Sequence, residues 1–315
     1  SISEDIAIGK IQLTYIAGKA DPNSPKEVIL DEAERKLGVF ENKIFTELKW
    51  VDGATYNLTI NGTDLAGNDA NPVQVNNITF DITPPVLNIL KLNNNGYIND
   101  NILSYSLSEN LANGSMTFTR ISGEEDPQSP QVVELSGKEL MAGNFMNQQL
   151  ANGPNLVNGS IYNIEFSGSD PAGNEAATIK LENVSFDNQA PEISISRPLD
   201  SEQIKTTIIS YMANEALEKA TVVFEQTGGT MDVNSPHRVV LSSGELTKGV
   251  HSDYDLDITS SLADGGRYRV TIEAFDKAGN PGKVTPINDV FFDILPPNLS
   301  LSSPPSGSNV NSVAI

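Results

Sequence analysis

Apolar residues along this chain fall on alternate positions, in short runs broken by Asn, Gly and Pro. Leu103, Tyr105 and Leu107 alternate with serines, and Tyr162, Ile164 and Phe166 with Asn, Glu and Ser. Leu87 and Ile89, Met116 and Phe118, and Val184 and Phe186 continue the pattern. A period of two over four to eight residues puts one face of a strand in a core and the other in water. The pattern predicts an all-β fold of half-buried antiparallel strands.

The pattern also repeats on a longer scale. The stretch Tyr162 to Asn174 returns as Tyr56 to Asn68 and as Tyr268 to Asn280, with Gly67, Gly173 and Gly279 spaced 106 residues apart. Phe80, Phe186 and Phe292 keep the same spacing, as do Pro85, Pro191 and Pro297. Earlier in the unit Glu4, Glu109 and Glu215 align, followed by Asp21, Asp126 and Asp232 and then by Pro25, Pro130 and Pro236. A shared register of this length is the signature of tandem domains. About seven short strands in each unit is the arithmetic of a two-sheet sandwich. The expected organisation is a repeat at 1–83 without its first strands, complete repeats at 84–189 and 190–295, and the first strands of a further repeat at 296–315. On this reading the segment is a window on a longer array, and the alternative is that the tail of one subunit completes the head of an identical neighbour, head to tail.

One stretch departs from the pattern. Asp31 to Trp50 begins with a Glu-Ala-Glu-Arg-Lys run of helical propensity, while its counterparts Ser136 to Leu156 and Ser242 to Leu262 are rich in Gly, Asn, Ser and Thr. Three copies should share one backbone. The region is therefore expected to form a strand, a turn at Gly38, Gly143 and Gly249, and a second strand, with room for a short helical turn.

Charge narrows the partners. The chain has 315 residues and a formal net charge of -21, from 41 acidic and 20 basic residues. Such a balance repels phosphate backbones and anionic lipid, so no nucleic-acid partner and no membrane insertion of this segment are expected. It suits divalent cations or a saline medium. Cys is absent, which excludes disulfides and thiolate zinc sites.

The Tyr-x-Ile-x-Phe ladder, the Asp-x-Ala-Gly-Asn turn, Phe186-Asp187 and the proline opening each next strand resemble the bacterial immunoglobulin-like domains strung along large surface adhesins. The resemblance covers essentially the whole chain and implies tandem immunoglobulin-like β-sandwiches in an elongated array, extracellular or at the cell surface. It also implies a tyrosine corner at Tyr162, tying the sixth strand to the preceding turn.

In such a sandwich the loops after the second and sixth strands lie at the end where the first strand comes in. Asp81, Glu109, Asp170 and Asn174 would then approach one junction, and Asp187, Glu215, Asp276 and Asn280 the next; Glu4 and Asp64 are the corresponding residues of the first copy. Calcium takes six to eight hard oxygens from such groups, and a cation removes the repulsion among crowded carboxylates. In some tandem surface domains of this class junction calcium stiffens the array, and the resemblance carries that expectation here. A plainer reading stands beside it: Asp170 caps its turn through backbone amides, and Asp187 caps the linker turn before Pro191. Asp126-Pro127-Gln128-Ser129-Pro130 reads as a turn.

Other chemistry fails on inventory, and no enzyme is expected. His237 and His251 lie in one copy only, and as isolated loop histidines they read as solvated surface. No phosphate-cradling glycine loop is present, and a narrow sandwich offers little cleft for paired carboxylates. Trp50 is replaced by Leu156 and Leu262 and reads as core. Sequons such as Asn77-Ile78-Thr79 and Asn183-Val184-Ser185 are no more than an Asn- and Thr-rich chain produces by chance. The leading expectation is a stalk, filament or surface-layer segment of a long extracellular protein. The alternatives are a module binding carbohydrate or a host protein through its variable loops at 40–49, 144–155 and 250–259, or the spacer of a secreted enzyme.

Overall fold

The computed structural model describes residues 1–301, 303, 304 and 306–311. The first repeat contributes β1 (Ile6–Gly18), β2 (Lys26–Ile29), β3 (Ala54–Asp64) and β4 (Val73–Phe80). The second holds β5 (Leu87–Leu90), β6 (Tyr97–Ile98), β7 (Ile102–Leu107), β8 (Asn113–Gly123), β9 (Gln131–Glu134), β10 (Gly143–Gln149), β11 (Ser160–Ser169) and β12 (Ile179–Phe186). The third holds β13 (Glu192–Arg197), β14 (Gln203–Ile204), β15 (Ile208–Ala213), β16 (Leu217–Gly229), β17 (His237–Val240), β18 (Gly249–Asp255), β19 (Gly266–Asp276), β20 (Lys283–Val284) and β21 (Ile287–Phe292).

Contacts group the chain into two compact units, residues 1–95, 101–155 and 162–184 in one, and 96–100, 156–161 and 185 onward in the other. In the second unit a five-stranded sheet of order β14-β21-β19-β16-β17 faces a four-stranded sheet of order β18-β15-β13-β20. Their inner faces share one core, in which Ile193, Ile209 and Tyr211 of one sheet meet Val222, Phe224, Val270, Ile272 and Phe292 of the other. This is the immunoglobulin-like β-sandwich: all-β, with alternate side chains of each strand turned inward. Along β19 burial alternates over the whole strand, as the period-two pattern requires.

The first unit contains the sheet β10-β7-β5, most of the sheet β6-β12-β11-β8-β9, and the first repeat's sheet β2-β1-β3-β4. Tyr105 of β7 meets Phe166 of β11 edge to face at 5.6 Å, joining the two sheets of the second sandwich. The first repeat has a single sheet, closed on one side by residues 30–51, with Leu30, Leu48, Trp50 and Val51 packed on Leu13 and Tyr56. One bridge, Ile2 to Gly38, stands where β7 pairs with β10 at Leu107 and Gly143.

The strand count is higher than seven, and not every pairing is antiparallel. The two-residue strands β6 and β14 run parallel to β12 and β21, and β20 runs parallel to β13. The region after Leu135 also differs from the expected strand, turn and strand. Residues Gly137–Leu140 and Ser243–Leu246 form 3-10 turns, and only β10 and β18 follow as strands. In the second copy a capping box closes this turn, and in the first the same reciprocal bonds close the turn after Asp31. Ser136 N donates to the Glu139 carboxylate at 2.9 Å, and Asp31 N to that of Glu34 at 2.9 Å with Glu34 N returning to Asp31 Oδ1 at 2.8 Å. The Asp/Ser-x-x-Glu spacing that signals this turn was present in all three copies.

Residues 296–301, expected to open a further repeat, carry no strand, and Leu299 and Leu301 are exposed. Residues 314 and 315, aligned with the start of β15, lie outside the described residues.

Candidate functional site: two acidic trios

The turn after β11 shows how the chain builds each site. Gly173 adopts φ 91°, and Gly67 and Gly279 adopt 91° and 92°, the left-handed region where a side chain is strained. That reversal folds the loop back on Asp170. Asp170 Oδ1 accepts the amides of Ala172 at 2.8 Å and Asn174 at 2.9 Å, and Oδ2 accepts Asn174 Nδ2 at 2.8 Å. Asn174 Nδ2 also donates to the linker carbonyl of Asp81 at 3.1 Å. Asp276 and Asn280 repeat the arrangement, with Asn280 Nδ2 on Asp276 Oδ2 and on the Asp187 carbonyl, both at 2.8 Å. The asparagines therefore fasten the loop to the linker through nitrogen. As oriented, each asparagine turns its Nδ2 toward the aspartate and the linker carbonyl.

The linker aspartates are held the same way. Thr83 N donates to Asp81 Oδ1 at 3.0 Å, and Gln189 N to Asp187 Oδ1 at 3.1 Å. A second clasp comes from Asp52, which accepts Ile82 N at 2.8 Å and Thr83 Oγ1 at 2.6 Å, and from Asn158, which accepts Asn188 N at 2.8 Å. The turn-capping reading of these aspartates thus holds in full.

It holds alongside the clustering. Asp81, Glu109 and Asp170 each bring a carboxylate oxygen within 4.8 Å of the others, and so do Asp187, Glu215 and Asp276. Asp170 and Asp276 are buried, and the other four are half-buried. Burial pushes the Glu109 carboxyl above its ordinary range, and the charges of Asp81, Asp170 and Asp52 push the same way. Glu215 is raised by burial, Asp187 and Asp276, with Lys248 opposing. Burial would also raise Asp170, but the Asn174 side chain and the loop amides outweigh it and hold that carboxyl low. Glu109 thus stands above its ordinary range while Asp170, held by loop donors, stands below its own.

The first-copy pair is incomplete by comparison. Glu4 and Asp64 line one surface cavity with Asn68 and Asp69, and among the described residues no third acid makes them a trio. Asp64 keeps its structural part, accepting Asn68 Nδ2, Asn68 N and Ala66 N at 2.8 Å each.

At the other end of each sandwich the recurring aspartate does more than turn the chain. Asp126 Oδ1 accepts Gln128 N at 2.9 Å, the expected turn, while Oδ2 accepts the Tyr162 hydroxyl at 2.9 Å. Tyr56 reaches Asp21 at 2.8 Å and Tyr268 reaches Asp232 at 2.6 Å. The corner itself is present: Val51 N donates to the Tyr56 hydroxyl at 3.0 Å and Ala263 N to that of Tyr268 at 2.9 Å. Trp50 meets Tyr56 edge to face at 5.3 Å, half-buried and packed against the core.

Both histidines depart from the expected surface placement. His237 opens β17 with its ring turned inward, 9% exposed, and Nε2 lies 2.6 Å from Asp232 Oδ2. His251 lies in β18, stacked on Tyr211 at 4.7 Å. Strand alternation, which the loop reading did not apply to them, turns the His237 ring inward, while His251 stays half-exposed against Tyr211. The sequon residues Asn77 and Asn183 sit at φ 60° and 59°, a conformation Asn tolerates, with their amides on Asn57 and Asn163 at 3.1 Å.

Residues 41–182 match the family model of the bacterial Ig-like domain (group 3). The expected likeness to bacterial Ig-like domains is met. Among curated proteins none matches. Of solved structures, the FN1–FN3 domains of chicken CNTN1 share 12% identity at TM-score 0.38, covering 90% of each chain. A tetra-tandem repeat from the extending region of a large adhesion protein shares 16% identity at TM-score 0.28, over 89% of this chain and 66% of that one. The Bacteroides ovatus mixed-linkage glucan utilization locus SGBP-B, in complex with a mixed-linkage heptasaccharide, shares 11% at TM-score 0.18, over 91% and 60%. Among the described residues no helix is long and apolar enough to cross a membrane.

Proposed function

We propose that this chain is a structural segment of a long extracellular surface protein, its Ig-like repeats fastened to one another at their linkers by calcium. The observation that carries the reading is the recurrence of the acid trio at corresponding places, Asp81-Glu109-Asp170 and Asp187-Glu215-Asp276. The bacterial Ig-like match, the net charge of -21 and the absence of cysteine support the setting.

The donor set fits a hard divalent cation. Each trio offers three carboxylates, mono- or bidentate, and leaves the remaining positions to water or backbone carbonyls. Every member comes from a different segment: a linker, the end of a second strand, and the turn after a sixth strand. A cation shared by the three cross-links them, and binding to the folded state alone raises stability. Asp81 and Asp170 would keep their capping bonds while lending an oxygen to the ion, and Glu109 would exchange like-charge repulsion for coordination.

Thermal unfolding in calcium against chelator tests this. At about a hundred times the dissociation constant each filled site adds about 2.7 kcal/mol. Glu109 caps no turn, so E109Q and E215Q separate coordination from folding. In chelator these variants should unfold at or above the wild-type temperature, because a repelling charge is gone, and in calcium they should lose the gain. An unchanged wild-type melting temperature at millimolar calcium would defeat the reading.

A further inference from the structure

The first repeat has an open recess at a place that the third repeat fills. A surface cavity of about 250 Å³ is lined by the apolar Ile2, Ile6, Leu30 and Ile60 and by the acids Glu4 and Asp64. The corresponding apolar residues of the third repeat, Ala213, Leu217, Leu241 and Ile272, are no more than 4% exposed. There β13 supplies the cover: Ile193 pairs with Ala213 and packs in one core with the other three. By the repeat register the chain holds one more segment of this kind. Asn298, Leu299 and Leu301 align with Glu192, Ile193 and Ile195, and the two leucines are 93% and 68% exposed. The linker ahead of them is already set like the others. Leu295 N donates to Asp293 Oδ1 at 3.1 Å and Ile294 N to Asp264 Oδ1 at 2.8 Å, as Thr83 N does to Asp81 and Ile82 N to Asp52.

We propose that residues 298–301 of one copy of this chain dock as a strand in the first-repeat recess of a second copy. Each linker serves the repeat that follows it in sequence, and the first repeat of the second copy takes that place after Asp293. The receiving edge has the right groups. In the second repeat Ser108 N donates to the Val86 carbonyl at 3.1 Å, and the Ser108 hydroxyl accepts Val86 N at 2.8 Å. Ser3 stands at the position of Ser108, and Asn298 at that of Val86. Docking in this register also brings Asp293 to Glu4 and Asp64, which among the described residues have no third acid. The set then matches Asp81-Glu109-Asp170. Residues Ile294 to Leu301 carry no charge, so Asp293 is the one charge the docking segment adds to those two acids. This part rests on the calcium reading above: three acids without a cation repel one another, so association requires calcium. The interface is heterologous and builds rings or open chains of copies rather than a two-fold pair.

Sedimentation velocity of the whole chain over a concentration series should show dimers and longer species in millimolar calcium, and monomer in chelator. Leu299→Asp should weaken association about tenfold or more, since it puts a charge into an apolar recess. Asp293→Asn keeps an oxygen for Leu295 N but removes a ligand charge, so it should associate alike in calcium and chelator. The chain has no cysteine, so Ser3→Cys and Asn298→Cys chains, mixed under oxidation in calcium, should form a disulfide-linked heterodimer faster than either variant links to itself. Monomer at high concentration in calcium overturns the proposal. So does wild-type association that chelator or Leu299→Asp leaves unchanged. Melting temperature reads the junctions within one chain and can fail separately. A calcium gain there without association defeats the docking and leaves the junction reading standing, and calcium-dependent association without that gain does the reverse.

Discussion

Ile60 and Ile272 occupy the same place in corresponding strands, yet Ile60 is 39% exposed and Ile272 is 2% exposed. The contrast extends to the neighbours. Leu58 and Ile78 are half-buried, whereas Val270 and Val290 are fully buried. Tyr56 and Tyr268, one turn of the pattern earlier, are both at 0%. The first repeat has one sheet and a covering segment, and the third has two sheets. A single sheet with a closed flank suffices to bury the tyrosine end, because residues 30–51 lie over it. The other end needs the inner face of a second sheet, which β13 and β15 supply in the third repeat. Alternation in a strand sets which face is apolar, and only an opposing layer turns that face into core.

Substitutions at these paired positions sharpen the contrast. Ile272→Ala should cost about 2–5 kcal/mol, the range for a large-to-small change in a packed core. Ile60→Ala should cost well under about 1 kcal/mol, as its side chain is already partly in water. Urea unfolding followed by exchange mass spectrometry on β3 and β19 would measure both, and equal costs would mean the first repeat has a second covering layer in solution.

The tyrosine corner should break the contrast. Tyr56→Phe and Tyr268→Phe each leave a buried carboxylate and a backbone amide short of a partner, so each should cost about 1–3 kcal/mol. The two losses should agree, because the same bonds are made in both repeats. A much smaller loss at Tyr56 would show that the corner depends on the second sheet.

The smallest effect is expected from acid. Asp21 is held below the ordinary carboxylate range chiefly by Lys26, with burial opposing and Tyr56 and Asn23 assisting. For Asp232 burial is the largest influence and raises it, but Tyr268, His237 and Asn234 together bring it low. A depressed folded value means stability that is present above the unfolded value near 3.9 and lost as pH falls through the folded one. Both repeats should hold their tyrosine-end protection to about pH 4 and lose it together below that. Earlier loss in one would separate the two tethers.

The sandwich, its repeat register and the core positions were legible because they are written in the period of two and in glycines that must take positive φ. The trios were legible for a related reason. Once the strand order is assumed, the loops that meet at one end follow from it, so Asp81, Glu109 and Asp170 could be named before their distances were known. Asn174 and Asn280 follow from the same strand order, but which amide atom each turns to the acids depends on neighbouring donors and acceptors that the sequence does not arrange. The Asp–Tyr tether was half-seen. Its turn was evident, but its bond crosses 36 residues between Asp126 and Tyr162, and no local pattern reports a contact of that separation.

What the sequence alone determined is therefore which residues face inward, where the chain reverses and how often the unit recurs, all properties of backbone geometry acting over a few residues. What the tertiary structure decided is which inward faces find a partner layer and which buried charges meet. Ile60 and Ile272 read alike in one dimension. His237 read as surface until Asp232 was found beside it, because burial and pairing depend on segments brought together across the fold.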